Sequence, residues 1–168
     1  MKKFALVLSL VCLTVAPVLA GTINLSGRAG MYNGSGADSA SVMLGASADY
    51  AITPNLALRG MVETTTYKAS GIDVTYMPVS VDLIYSQTIA GLIRPYVGAG
   101  VSYNTTTVGG ASTQTSGGQG EAGIKFELNG FSAGVEYRVM MPDLNHTNIT
   151  TSSYNAYATG SVSQSLSF

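Results

Sequence analysis

Past residue 20 the chain has no cysteine, and it has no tryptophan anywhere. Its single cysteine, Cys12, lies inside an N-terminal apolar run. A disulfide framework is excluded, so an exported form must be held together non-covalently. Charge is scarce: Asp, Glu, Lys and Arg make up 10% of the residues, against roughly 25% in soluble domains. No basic patch exists, which argues against nucleic acid as a partner. With one histidine and no usable cysteine, no cluster has metal-ligand spacing, so neither a metal nor a cofactor is expected. Nor does any apolar run after residue 20 reach the roughly 20 residues of a membrane-spanning helix.

What is present begins with the N-terminus. Met1-Lys2-Lys3 is basic, Phe4 to Ala16 is nearly all apolar, and Pro17-Val18-Leu19-Ala20 precedes Gly21 as a small-residue cleavage site. This three-part pattern reads as a secretory signal peptide over residues 1–20. Cys12 follows Val11 deep in the apolar run, which does not suit a lipoprotein site. Residues 21–168 then form one domain.

In that domain the dominant signal is period two. Along Ser41–Ile52, Val42, Leu44, Ala46, Ala48 and Tyr50 alternate with Ser41, Met43, Gly45, Ser47 and Asp49. Leu56–Thr66, Arg94–Asn104 and Phe131–Met141 alternate in the same way, and Ile23–Tyr32, Val74–Tyr85, Gln119–Leu128 and Tyr154–Phe168 complete eight predicted strands. Thr53-Pro54-Asn55 and Asn129-Gly130 are tight turns, the second with type I′ chemistry. Residues 33–40, 105–118 and 142–153 are longer, rich in Gly, Ser, Thr and Asn, and read as loops, with 105–118 a mobile loop between two strands rather than a linker. The connection Ser86–Leu92 is long for its side, and Pro78 within the fourth strand suggests a bulge. Short turns alternating with long loops predict an all-β, eight-stranded antiparallel up-and-down transmembrane β-barrel.

Outside the first 20 residues, six basic side chains face nine acidic ones. Eleven of these charges (Arg28, Asp49, Arg59, Glu63, Asp82, Arg94, Glu121, Lys125, Glu127, Glu136 and Arg138) fall on polar strand faces, and none falls on an apolar face. The near balance of sign predicts a lumen network of ion pairs, because an unpaired buried charge costs several kcal/mol. A soluble barrel would put these charges outside. Three features favour the membrane form. No large apolar cluster marks an ordinary core. Glycines 45, 98, 100, 123 and 134 lie on the polar faces, where a tight lumen accommodates them. Aromatics lie near the ends of the apolar faces: Tyr50, Tyr85, Phe126, Phe131 and Phe168 toward the short turns, Tyr103 and Tyr154 toward the loops. That is the girdle expected where lipid meets water.

The chain ends S-V-S-Q-S-L-S-F. Val162, Leu166 and Phe168 would face lipid, and the last strand must pair with the first to remove the sheet edges. Three stretches, Tyr50–Arg59, Arg94–Tyr103 and Gly123–Phe126 with Gly134–Arg138, together with the leader and Phe168, resemble the eight-stranded OmpA/OmpX-like and opacity-type outer-membrane barrels. The resemblance implies a Gram-negative outer membrane, a monomer surrounded by lipid, and a barrel-assembly signal at Leu166 and Phe168 read by the assembly machinery. Gln164 departs from that signal. No peptidoglycan-binding domain follows the barrel, so an OmpA-type anchoring role is not implied.

The functional expectation is a non-enzymatic structural or adhesin-like surface protein, its three long loops meeting a host or cell-surface ligand. A small porin-like channel along the lumen charges is the alternative, although interiors of this size are usually filled by side chains. A rim lipid-modifying enzyme would need His146, in the last predicted loop, with Asp143 and Thr147, Ser152 or Ser153 as partners. That spacing matches no deacylase or acyltransferase motif, and His146 reads better as a polar loop residue.

Overall fold

The computed structural model describes residues 22–34, 36–129, 131–144 and 155–167. The predicted leader, the predicted rim residue His146, and the end-of-strand aromatics Tyr154 and Phe168 lie outside them. Eight strands follow one another: β1 (Thr22–Asn33), β2 (Ser41–Ala51), β3 (Leu56–Ala69), β4 (Ile72–Ser86), β5 (Ile93–Val108), β6 (Ala111–Leu128), β7 (Phe131–Met141) and β8 (Asn155–Ser167). Each pairs antiparallel with the next, and β8 pairs with β1, closing the barrel. The closing ladder runs from Thr22↔Ser167 to Asn33↔Ala156. The C-terminal strand is therefore ladder-bonded along its length, between β1 and β7.

The alternation is inverted relative to a soluble protein. Val42, Leu44, Leu58, Val62, Val81, Leu83, Val97, Val101, Val135 and Val162 are exposed on the outer surface. Arg28, Asp49, Arg59, Glu63, Asp82, Glu121, Glu136 and Arg138 are buried inside. Only a solvent that is itself apolar makes that arrangement favourable.

Three expectations need correction. Residues 105–118 are not a loop. β5 and β6 continue as a hairpin through Thr105↔Gln114 to Val108↔Ala111, turning on Gly109 and Gly110 at φ 56° and 89°. Both left-handed φ values suit a two-residue type I′ turn, and threonines suit an extended backbone. The β3–β4 connection is likewise a two-residue turn, with Ser70 and Gly71 at φ 51° and 77°. Pro78 makes no bulge. The register is the same on both sides of it, Val62↔Val79 before and Thr65↔Tyr76 after. The missing N–H interrupts the ladder without inserting a residue. Finally, because β3 and β4 run further than the alternation indicates, Lys68 and Asp73 lie opposite each other on the outward face.

Strand length decides what projects. The 18 residues of β6 extend about 60 Å at roughly 3.3 Å per residue. Tilted by about 40°, they rise some 45 Å, well beyond an apolar band of about 25 Å. The 11 residues of β7 reach little more than the band. So β3 to β6 stand above their neighbours on the loop side as a four-stranded sheet.

Candidate functional site

The interior is built in two layers. Nearer the short turns is a network of charge. Arg59 on β3 donates from Nε and Nη2 to the two oxygens of Asp49 at 2.7 and 3.0 Å, and from Nη1 to Glu121 at 3.0 Å and Glu136 at 2.8 Å. Lys125 reaches the same Asp49 at 2.6 Å. Arg28 bridges Glu63, at 3.1 Å, and Glu136. Arg138 pairs with Glu63. Tyr96 donates its hydroxyl to Glu136 at 2.7 Å, while the Arg59 guanidinium lies 5.0 Å from its ring centroid. Asp82 is held by neutral donors, Gln119 at 2.6 Å and Ser80 at 3.3 Å. Of the eleven charges read from sequence, nine thus meet inside the barrel. The other two, Arg94 and Glu127, pair at 3.0 Å at the short-turn mouth, where they are 26% and 38% exposed.

Nearer the loops is a layer the alternation does not reveal. Tyr32 stacks on Tyr76, with ring centroids 5.4 Å apart, and meets Tyr67 at a tilt, 5.3 Å between centroids. Met43 and Met140 join them, fully buried. The Tyr76 hydroxyl bonds Asn104 at 2.9 Å. Met43 and Met140 sit on polar strand faces in the sequence, which is the one available sign that they point inward.

The lumen glycines are occupied from across the strand. A Cβ at Gly98 would lie 2.4 Å from Ile84 Cδ1 and 2.9 Å from Glu121 Oε1, and one at Gly123 would lie 2.5 Å from the Tyr96 ring. These glycines make room for neighbouring side chains that cross the lumen, so they do not open a path through it. A depression of about 420 Å³ indents the short-turn mouth beside Arg94 and Glu127. Above it lie the ion pairs and then the tyrosines.

Of the girdle residues, Tyr85, Phe126 and Phe131 are exposed outward toward the short turns, with Tyr50 partly covered beside them, and Tyr103 is 44% exposed on the loop side. Leu166 also faces outward, at 37% exposure.

The barrel is closed, with apolar residues outside and paired charge within, and the family model of the outer membrane protein beta-barrel domain matches residues 4–161. The chain belongs to the outer membrane protein β-barrel family. No curated protein matches it by sequence. Among solved structures it is similar to Neisserial surface protein A, with 19% identity over 89% of this chain and 98% of that one at a TM-score of 0.65. It is also similar to Ail, the attachment invasion locus protein of Yersinia pestis, with 13% identity over 88% and 100% at 0.57. The outer membrane enzyme PagL aligns with 17% identity over 84% and 98% at 0.51. At these identities the likeness is one of fold.

As an outer-membrane barrel the protein resides in the bacterial outer membrane; such barrels extend their long strands and loops away from the cell and keep the opposite, shorter end in the periplasm. The projecting sheet β3–β6 is therefore extracellular. Its two edges differ. On β3 the edge is covered: the Asp38 N–H bonds the Lys68 carbonyl at 2.7 Å, and the Asp38 carboxylate accepts from the Ser70 and Gly71 N–H groups, both at 2.9 Å. Those bonds, Gly71's first, hold the Asp38 carboxyl below its ordinary range. On β6 the pairing with β7 begins only at Gly118↔Met141. Leu144 N–H bonds the Ser116 carbonyl at 2.8 Å. By strand alternation, Ser112 and Gln114 point their N–H and C=O groups the same way. No described residue pairs with them there.

Proposed function

We propose that this outer-membrane barrel is a non-enzymatic surface-interaction protein, and that it binds an extended segment of a partner protein along the free edge of β6. One observation carries the reading: the exposed stretch Ala111–Gln114 extends above the membrane with one side of its ladder unpaired among the described residues. An exposed edge is a template for strand addition, in which main-chain hydrogen bonds supply affinity. The filled lumen supports a scaffold in preference to a conduit. Monomeric insertion, and assembly through the outward Leu166 and the chain end, belong to the same proposal.

The test is the double variant Ser112→Pro/Gln114→Pro. Proline at these positions removes donors that face the open edge and leaves the β5–β6 ladder intact. The account expects normal assembly and heat-dependent gel mobility, with at least tenfold weaker attachment of expressing cells to a protein-coated surface. Undiminished attachment would sink the edge-binding reading. His146→Ala separates the enzymatic alternative: a changed lipid A or phospholipid profile would restore it.

A further inference from the structure

Four cations and five carboxylates share the barrel interior. Arg28, Arg59, Lys125 and Arg138 face Asp49, Glu63, Asp82, Glu121 and Glu136, and β8 carries no charged residue. The cations are not distributed evenly. Asp49 has Arg59 and Lys125; Glu63 has Arg28 and Arg138; Glu136 has Arg28, Arg59 and, at 3.9 Å, Arg138. That leaves Asp82 without an ion pair among the described residues, and Glu121 with one contact to an arginine that two other carboxylates already share.

The two differ in how their oxygens are used. Both Asp82 oxygens accept a hydrogen bond, as an ionised carboxylate requires. On Glu121 only Oε1 accepts one; Oε2 is buried without a partner among the described residues. Two positions earlier on the same inward face of β6, the buried Gln119 spends its Nε2 donor on Ser80 and Asp82, and its Oε1 has no donor. One orphan acceptor is common enough. Here a carboxylate oxygen and an amide oxygen, neighbours on one strand face, both lack a donor.

We propose that Glu121 Oε2 is a buried proton-binding site, and that its O–H points toward Gln119 Oε1. A single proton then equalises the count of positive and negative charge and turns an unpartnered acceptor into a donor. It also supplies the bond that Gln119 lacks. The groups that face Glu121 are Arg59 from β3, Asp82 from β4, and Glu136 and Arg138 from β7. Glycines at 98 and 100 on β5 leave the space: Cβ atoms there would meet Glu121 Oε1 at 2.9 Å and Asp82 Oδ1 at 2.2 Å.

The chain contains four glutamates, Glu63, Glu121, Glu127 and Glu136, so the test needs no prior assignment. The folded barrel, labelled with ¹³C at glutamate side-chain carboxyls, is titrated by NMR in lipid nanodiscs. One of the four signals should stand at the protonated position at pH 7 and disappear in Glu121→Gln. That variant keeps a donor and an acceptor at the site and should retain heat-dependent gel mobility. If it does not fold, infrared spectra of the wild type decide, through a protonated-carboxyl band at neutral pH. Four ionised signals and no such band would overturn the proposal, as would a protonated signal that survives Glu121→Gln. A protonated carboxyl found instead in an aspartate-labelled sample would move the proton to Asp82 and overturn the assignment. Sodium-dependent stability with all carboxyls ionised would replace the proton by a metal cation and also refute it.

Discussion

Arg59→Met is the sharpest probe of the interior. Arg59 is 1% exposed and makes four hydrogen bonds to three carboxylates. Adding those bonds at about 1.5–3 kcal/mol each would give roughly 6–12 kcal/mol. That sum is too large, because two of the three partners are not abandoned. Asp49 keeps Lys125, and Glu136 keeps Arg28 and the Tyr96 hydroxyl. The cost of removing one member of a buried pair, about 3–5 kcal/mol, is the better figure. It corresponds to roughly two to four decades in the folding equilibrium. The contrast is Arg94→Ala at the periplasmic mouth, where a partly exposed pair contributes about 0–1 kcal/mol. Urea unfolding in lipid vesicles, followed by gel mobility and tyrosine fluorescence, would measure both. If Arg59→Met unfolds within about 1 kcal/mol of the wild type, the ion pairs do not hold the interior together and the reasoning fails.

Two further outcomes follow from the geometry. A Cβ at Gly100 would lie 2.2 Å from both Asp82 Oδ1 and the Val81 carbonyl oxygen, and backbone cannot yield as a side chain does. Gly100→Ala should therefore cost about 1–3 kcal/mol, whereas Gly27→Ala, which meets nothing within 4 Å, should stay within about 0.5 kcal/mol in the same urea assay. At the extracellular rim, the Asp38 clamp acts through a lowered carboxyl pKa. Its contribution is present above the ordinary carboxylate range and is lost as pH falls through the folded value. Amide NMR should show the Ser70 and Gly71 N–H signals moving on acidification, and Asp38→Ala should place them near their acid positions at pH 7; signals indifferent to both would refute the clamp.

Much of the fold is written in the period-two pattern, because lipid selects for apolar residues on every outward position that it touches. Val42 and Leu44 against Asp49, or Val97 and Val101 against Tyr96, show which side is which. The pattern fails where lipid ends. The hairpin tip, residues 108–114, is exposed throughout, so nothing forces alternation there, and the Thr, Ser and Gly content of 105–118 resembles a linker. Lys68 and Asp73 point outward for the same reason. Inside, the loop-side layer is concealed by side-chain type. Tyr32, Tyr67 and Tyr76 have rings that suit lipid equally well, and only register places them together. The individual ion pairs were not legible either. Sequence gives the inward face of Arg59, but not that Asp49, Glu121 and Glu136 converge on it from three other strands.

The lumen is filled, and the function proposed for the barrel lies on the outer edge of β6. Planar-bilayer recording on the purified, folded barrel tests it most directly, with heat-dependent gel mobility as the control for folding. No discrete conductance is expected in the wild type, because Arg59, Glu136 and Tyr96 and then Tyr32, Tyr76 and Met140 occupy the path. Salt-dependent steps that change on Arg59→Met would contradict it and make the lumen the working part of the protein.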